Sequence, residues 1–156
     1  LLYKWENDTS VWKVSNTIRP FSKHILEKYI QDSHLDIYTT KPLRLIICKT
    51  GGTPIGTIDL FDFDPYHLRA GIGILIADEK EKQNGFGNEA LKLLVDYCFS
   101  VLHLHQLFCN ITADNKPSLK LFAKHKFKTS GFKKQWIRDG NKFVNEYFLQ
   151  LINVKG

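Results

Sequence analysis

Six consecutive residues of this 156-residue chain have types and spacing suited to chemistry: Lys82-Gln83-Asn84-Gly85-Phe86-Gly87. They lie between an apolar, β-rich run, Ala70–Ala77, and a stripe of helical period that begins at Phe86. Glycines two apart let the backbone approach a ligand with no Cβ in the way. The first N–H groups of a helix have no partner within it, and the helix dipole adds positive potential there. Strand, glycine turn and helix start in that order build a seat for an anion such as a pyrophosphate, and Lys82 would add a full charge. The same residues also fit an ordinary glycine-containing connection. Gly85-x-Gly87-x-x-Ala90 fits the dinucleotide-binding fingerprint as well. That fold, however, places its glycine turn after the first of several parallel strands. Here an antiparallel meander comes first and only one strand–helix unit follows. No Gly-Lys-Ser/Thr closes the turn, which excludes a P-loop.

The elements that position this turn follow from periodicity and turn residues. Leu2, Trp5 and Trp12 suggest the tail of an amphipathic helix. Ser22 is placed to cap a helix presenting Ile25, Leu26, Tyr29 and Ile30 and ending before Leu35. Leu43–Cys48, Ile55–Phe63 and Ala70–Ala77 read as strands joined by Thr50-Gly51-Gly52-Thr53 and by Asp64-Pro65-Tyr66-His67, so all three run antiparallel. From Phe86, the residues Ala90, Leu91, Leu94, Tyr97, Cys98, Val101 and Leu102 form a broad apolar stripe that must pack on the sheet. A strand over Leu107–Ala113, a short helix starting at Asp114-Asn115-Lys116-Pro117, and closing strands over Phe127–Ile137 and Lys142–Ile152 complete the chain. No repeat, linker or low-complexity segment interrupts it. One α/β domain over residues 1–156 with a mixed, mostly antiparallel sheet flanked by helices is expected.

Composition narrows the class. The chain is 43% hydrophobic and 24% charged, ordinary for a packed domain. Its net charge of +6 permits an anionic partner without naming one. A nucleic-acid-binding domain would rest on that charge and on Lys124, Lys126, Lys128, Lys133 and Lys134 alone, and no nucleic-acid motif accompanies them. The longest apolar runs are far too short to span a bilayer, and no secretory signal is visible. Cys48, Cys98 and Cys109 are odd in number and sit in apolar stretches, which points to a reducing, cytoplasmic setting. His103-x-His105-x3-Cys109 has no standard zinc spacing, so no metal is expected. There is no Met, and the opening Leu1-Leu2-Tyr3 reads as already inside an element, suggesting a missing N-terminal piece.

The turn and the order of elements together resemble the GNAT superfamily of acyl-CoA-dependent N-acetyltransferases. Members carry Gln/Arg-x-x-Gly-x-Gly/Ala before the helix that receives the CoA pyrophosphate. Here Lys82 replaces the Gln/Arg, Gly85 and Gly87 stand in register, and Asn88-Glu89-Ala90-Leu91 is similar to the family's Thr-Glu-Ala-Leu. Asp96-Tyr97-Cys98-Phe99, Leu102–Leu107 and Asn115-x-x-Ser118 continue the match toward the branch of spermidine and ribosomal-protein N-terminal acetyltransferases. The resemblance implies a GNAT-like domain whose first strand is absent here. It also implies that the strand before the turn and the strand after the long helix splay apart around the pantetheine arm. Acetyl-CoA would then lie along Ile74, Leu75 and Ile76, with its phosphates at Lys82, Gln83, Asn84, Gly85, Phe86, Gly87 and Asn88, and with Asn115 and Ser118 beside it.

The reaction so implied is attack of a primary amine on the acetyl thioester, the amine belonging to a polyamine, another small molecule or a protein N-terminus. Many relatives protonate the leaving thiolate with a Tyr on the short helix, but Phe122 occupies that position here. Cys109, Asn110, His125 and Tyr147 are the groups left to substitute for it, with Asp59 a carboxylate able to relay protons through water. Asp59 and Asp62 are also candidate acceptor-binding residues, because polyamine-specific relatives carry Glu where Asp59 stands. An acidic residue of that branch aligns with Gly71, which speaks against a polyamine. Phe122 keeps a module that binds acyl-CoA with little or no transfer as the alternative. A homodimer is left open.

Overall fold

In a computed structural model, the chain is described over residues 1–15, 17–40 and 42–154, the side chains of 13–15 excepted. Helices α1 (Leu2–Glu6), α2 (Thr9–Ser15), α3 (Lys23–Gln31) and α4 (Ile37–Thr40) precede strands β1 (Leu43–Cys48), β2 (Pro54–Asp64) and β3 (Arg69–Ile76). Helix α5 (Phe86–Ser100), strand β4 (Gln106–Thr112), helix α6 (Lys116–Lys124) and strands β5 (Lys128–Asp139) and β6 (Lys142–Ile152) follow. The strands form one six-stranded sheet in the order β1-β2-β3-β4-β6-β5. Every neighbouring pair is antiparallel except β3 and β4, which α5 connects as a crossover. The mixed sheet flanked by helices is as expected from the pattern.

Local chemistry accounts for the boundaries. Ser22 Oγ accepts the Ile25 N–H at 3.2 Å and starts α3. Asn115 Oδ1 accepts the Ser118 N–H at 3.2 Å and starts α6, with Pro117 in its first turn. In the β1–β2 connection Gly52 takes a φ of +84° while its N–H reaches Lys49 O at 2.8 Å. On one face of the sheet Ile58, Leu60, Ala70, Ile72, Leu107, Cys109, Ile111 and Leu149 meet Leu91, Leu94 and Cys98 of α5 and Phe122 of α6 in a single buried cluster. The other face carries a row of rings, Phe61–Phe108–Phe148, with centroids 5.7 and 5.5 Å apart. The apolar face expected on α3 is narrower than the pattern implies. Leu26 is buried, whereas Ile25 and Ile30 are about half exposed. The short N-terminal helices present only a strip to the sheet.

The sheet is split. β3 and β4 pair at Arg69↔Gln106, Ala70↔Leu107 and Gly71↔Phe108, and the pairing stops there. From Ile72 and Cys109 onward the two strands diverge, each still paired on its outer side, β3 to β2 and β4 to β6. The gap leaves inner-edge backbone groups of β3 without a strand partner in the middle of a sheet.

Candidate active site

The N-terminus of α5 stands at the mouth of this split. Gly85 caps the helix in the left-handed conformation, φ +88° and ψ −11°, and no side chain occupies the cap. The Phe86, Gly87 and Asn88 N–H groups therefore have no intrahelical acceptor, as at any helix start. Gln83 also has a positive φ, 65°, so the segment from 83 to 85 coils back on itself, and Asn84 Nδ2 secures it by donating to Lys80 O at 3.0 Å. Gly87 has a different role. A Cβ there would lie 3.6 Å from Ile74 Cδ1 and Leu121 Cδ2, on the sheet side of the helix. The helix there faces β3 and α6 with ordinary van der Waals room for a methyl group. His125, at the end of α6, donates from Nε2 to Asn88 Oδ1 at 3.1 Å and so braces the first turn of α5. Burial, with Lys124 adding to it, holds this imidazole below its ordinary pKa, favouring the neutral ring.

The Lys82 ammonium pairs with Glu79 in an exposed contact on the acidic run. Glu81 pairs with Lys49 on the β1–β2 connection, which pins the acidic run 78–81 to the sheet. The amides that open at the start of α5 have a chemistry that fits the phosphates of CoA.

A cleft runs along the split, lined by Ile72, Gly73 and Ile74 of β3, Cys109, Asn110, Ile111 and Thr112 of β4, Asn115, Ser118 and Phe122, and Glu146 of β6. Ile74, Asn115 and Ser118, three of the expected cofactor contacts, thus line the cleft. Leu75 points to the opposite face from Ile74 by strand alternation, and Ile76 lies near Gly87. Phe122 is buried, its ring edge-on to Phe127 at 5.0 Å, and offers no proton. Burial drives the Cys109 thiol up to about 12, as it does Cys98, which leaves neither as a ready acid or base near neutrality.

The remaining candidates separate. Asn110 lines the cleft. Tyr147 does not; it is on the opposite face of β6 from Glu146, against Phe132 at 5.0 Å. Asp59 lies beside the cleft through its register partner Gly73, but both of its oxygens are taken by Arg44, Nε to Oδ1 at 2.9 Å and Nη2 to Oδ2 at 2.7 Å. Arg44 also pairs with Glu6 of α1 and stacks over Tyr29 of α3 at 5.9 Å, so the cluster fastens the N-terminal helices to the sheet. Burial works against the charged guanidinium, yet its bonds and charge contacts with Asp59 and Glu6 hold its pKa above the ordinary value. Burial likewise raises the Tyr29 phenol. Asp62 is exposed, with a φ of 47°, near the end of β2 where β3 and β4 are still paired, away from the split. At Gly71 a Cβ would fall 2.3 Å from the Phe61 ring, so an acidic side chain at this position is sterically replaced by Phe61.

The sequence pattern missed Glu146. Its side chain is 5% exposed, it lines the cleft, and its Oε2 accepts from Lys133 Nζ at 2.6 Å. The same ammonium donates to Asn110 Oδ1 at 2.9 Å. Lys133, one of the basic residues near the end of the chain, is thus engaged at the cleft. The available signal was Glu146 as the one charged residue within Phe143–Leu149 of the closing strand, but the alternation of β6 did not say which face it took.

A sheet divided between its two parallel strands, with a bare helix start at the mouth of the division, is the fold of the GNAT acetyltransferases. Residues 1–128 match the family model described as an acetyltransferase (GNAT) domain, and the chain belongs to that family. It is 38% identical over 96 residues to an N-acetyltransferase 9-like protein of Nematostella vectensis, covering 58% of this chain and 48% of that one. It is 28% identical over 88 residues to the spermidine N(1)-acetyltransferase of Escherichia coli (strain K12), covering 56% and 47%. The chain thus spans about half the length of these curated relatives. The crystal structure of spermidine N-acetyltransferase from Vibrio cholerae in complex with CoA and spermine shares the fold with a TM-score of 0.84 at 16% identity, over 97% of this chain and 87% of that one. Among the described residues no helix is long and apolar enough to cross a membrane, and no three His, Cys, Asp or Glu side chains gather as metal ligands.

Proposed function

We propose that the chain is an acetyl-CoA-dependent N-acetyltransferase acting on a primary amine. The observation that carries this reading is the split between β3 and β4 beside the open N-terminus of α5. The diphosphate of CoA meets the Phe86–Asn88 amides, and the pantetheine lies against the unpaired edge of β3. That edge offers N–H groups to the thioester carbonyl, where charge develops as the amine attacks. The acceptor approaches from the face of Asp59, Glu146 and Asn110, opposite α5 and α6. Relatives named as spermidine acetyltransferases support an amine acceptor, either a polyamine, another small amine or a protein N-terminus. Buried, unpaired thiols suit a cytoplasmic setting. A homodimer is part of the same reading, since a relative has been solved as a dodecamer.

Titration calorimetry with CoA tests the donor site. Binding in the micromolar range is expected, and no heat at millimolar CoA overturns the proposal. A second reading, an acyl-CoA-binding module with little transfer, rests on Phe122, which supplies no acid to the leaving thiolate. Release of free thiol from acetyl-CoA in the presence of an amine panel distinguishes the two, because steady turnover removes the second.

A further inference from the structure

We infer that Glu146 receives the acceptor's ammonium and takes its proton before attack, with Lys133 and Asn110 as the residues that position it. The inference rests on the transferase reading above. Among the described residues, Glu146 is the only carboxylate lining the cleft, and its side chain is 95% buried. Burying a carboxylate is costly unless it is paired, and a strand position so close to Thr112 and Asn110 could have held an apolar residue at no such cost. Lys133 supplies the pair from β5.

The surroundings of the Lys133 ammonium describe the site. It touches one carboxylate oxygen and one amide oxygen, and it lies 5.2 Å from the centre of the Trp136 ring. A carboxylate, an amide carbonyl and an aromatic face are the groups that recognise a primary ammonium. Glu146 uses only Oε2 for Lys133, and Oε1 makes no protein hydrogen bond among the described residues, so it remains available inside the cleft. The charged and polar groups facing Glu146 are Lys133 from β5 and Thr112 and Asn110 from β4; its chain neighbour Tyr147 points away.

The step balances as follows. An acceptor R–NH3+ gives one proton to Glu146 Oε1, leaving R–NH2 and a carboxylic acid. The nitrogen lone pair then forms the N–C bond to the acetyl carbon, and the C–S bond breaks with its electron pair on sulfur. The surplus proton on nitrogen passes to the thiolate, giving the amide and free CoA, and Glu146 returns its proton to water.

The test compares two amines at pH 7.5: propylamine, which is protonated, and 2,2,2-trifluoroethylamine, which is already neutral. Glu146→Gln keeps the shape and removes the base. Expected is a fall in kcat/KM for propylamine of about 10²–10³-fold, against less than about threefold for trifluoroethylamine, with CoA affinity unchanged by calorimetry. Glu146→Asp, which keeps a carboxylate and its pairing, is expected to lose about tenfold on propylamine alone, and it carries the test if the Gln variant folds poorly. Equal losses on both amines, or no loss on either, overturn the role of Glu146 and leave the transferase reading standing. A wild-type chain that binds CoA but releases no thiol with these two amines or with any member of the amine panel removes the transferase reading and this inference together.

Discussion

One methyl group added to each glycine of the α5 turn should have opposite effects. Gly85 has a φ of +88°, and a Cβ there meets nothing within 4 Å, so the cost of Gly85→Ala is purely conformational. Holding an L-residue in the left-handed region costs about 1–2 kcal/mol. Gly87 is inside the helix, and its Cβ would make ordinary contacts at 3.6 Å to Ile74 and Leu121 and 3.9 Å to Ile76. Gly87→Ala therefore gains up to about 1 kcal/mol of helix propensity without a clash. Unfolding entropy of about 2.1 cal/mol/K per residue over 156 residues makes each kcal/mol worth about 3 °C in Tm. Gly85→Ala should then melt about 3–6 °C lower than the parent, and Gly87→Ala up to about 3 °C higher.

The same energies set the binding outcome. An alanine at 85 that relaxes out of the left-handed region rotates the turn amides, and CoA must restore them at a cost no greater than the strain relieved. That corresponds to about a 5- to 30-fold loss of affinity. The methyl at 87 faces the sheet and not the amides, so affinity should stay within about twofold. Thermal melting and calorimetry with CoA on both variants provide the comparison. If Gly87→Ala loses CoA as steeply as Gly85→Ala, then Gly87 is needed for close approach of the ligand; if it melts lower than the parent, the helix–sheet contact has no room for the methyl and the reasoning from its 3.6 Å neighbours is wrong.

Three other outcomes follow from the same geometry. Arg44→Met leaves Glu6 and Asp59 facing each other half-buried without their shared cation, and should cost about 2 kcal/mol, read as a shift in urea midpoint; Asp59→Asn in the same background should recover part of it. His125 has its folded-state pKa held below the ordinary 6.5, chiefly by burial, so its neutral form stabilises the fold above that value. That contribution is lost as pH falls through the unfolded and then the folded pKa; the drop in urea midpoint between pH 7.5 and pH 5 should be smaller in His125→Gln than in the parent. Iodoacetamide at pH 8 should alkylate Cys48, which is exposed, and spare Cys98 and Cys109, whose thiols are buried and pushed up to about 12; mass spectrometry that finds three modified cysteines in the folded protein contradicts this.

The strands were readable because each is an apolar or alternating run closed by turn residues; Leu43–Cys48 and Lys142–Ile152 have the bounds the pattern predicts. The donor seat was readable for a related reason. It consists of backbone, and its only side-chain requirement is a glycine at the one position with φ +88°. Lys82 shows what charge alone leaves open, since it does not say which neighbour pairs with it, and Glu79 lies three residues away. The pairing of Asp59 was equally hidden, since Arg44 is fifteen residues distant in sequence and opposite it only through the β1–β2 register. Glu146 and Lys133 were hidden more deeply. They meet as register partners on strands joined at 139–142, and β5 shifts register between Thr129 and Gly131 and again between Lys133 and Ile137. Each shift changes which face the following residues occupy, so alternation counted along β5 cannot assign Lys133 to the cleft.

The two ends of the site also differ electrostatically, and that difference bears on what reaches each. The chain as a whole is basic, +6, which favours the approach of an anionic donor to the α5 amides. The ion pairs nearest the acceptor end join Glu6, Asp59 and Glu146 to Arg44 and Lys133, three carboxylates to two cations. A basic protein has thus kept a small excess of negative charge at the one opening of the split that faces away from the donor. Neutralising a carboxylate there should weaken a cationic amine more than a neutral one of similar size, whereas removing a surface lysine such as Lys134 should change neither by more than about twofold. A KM for propylamine that rises with salt while that for trifluoroethylamine stays level is the corresponding measurement, because screening acts on the charged acceptor alone. Parallel rises for both amines would place the salt effect on the donor side and leave the acceptor face without an electrostatic role.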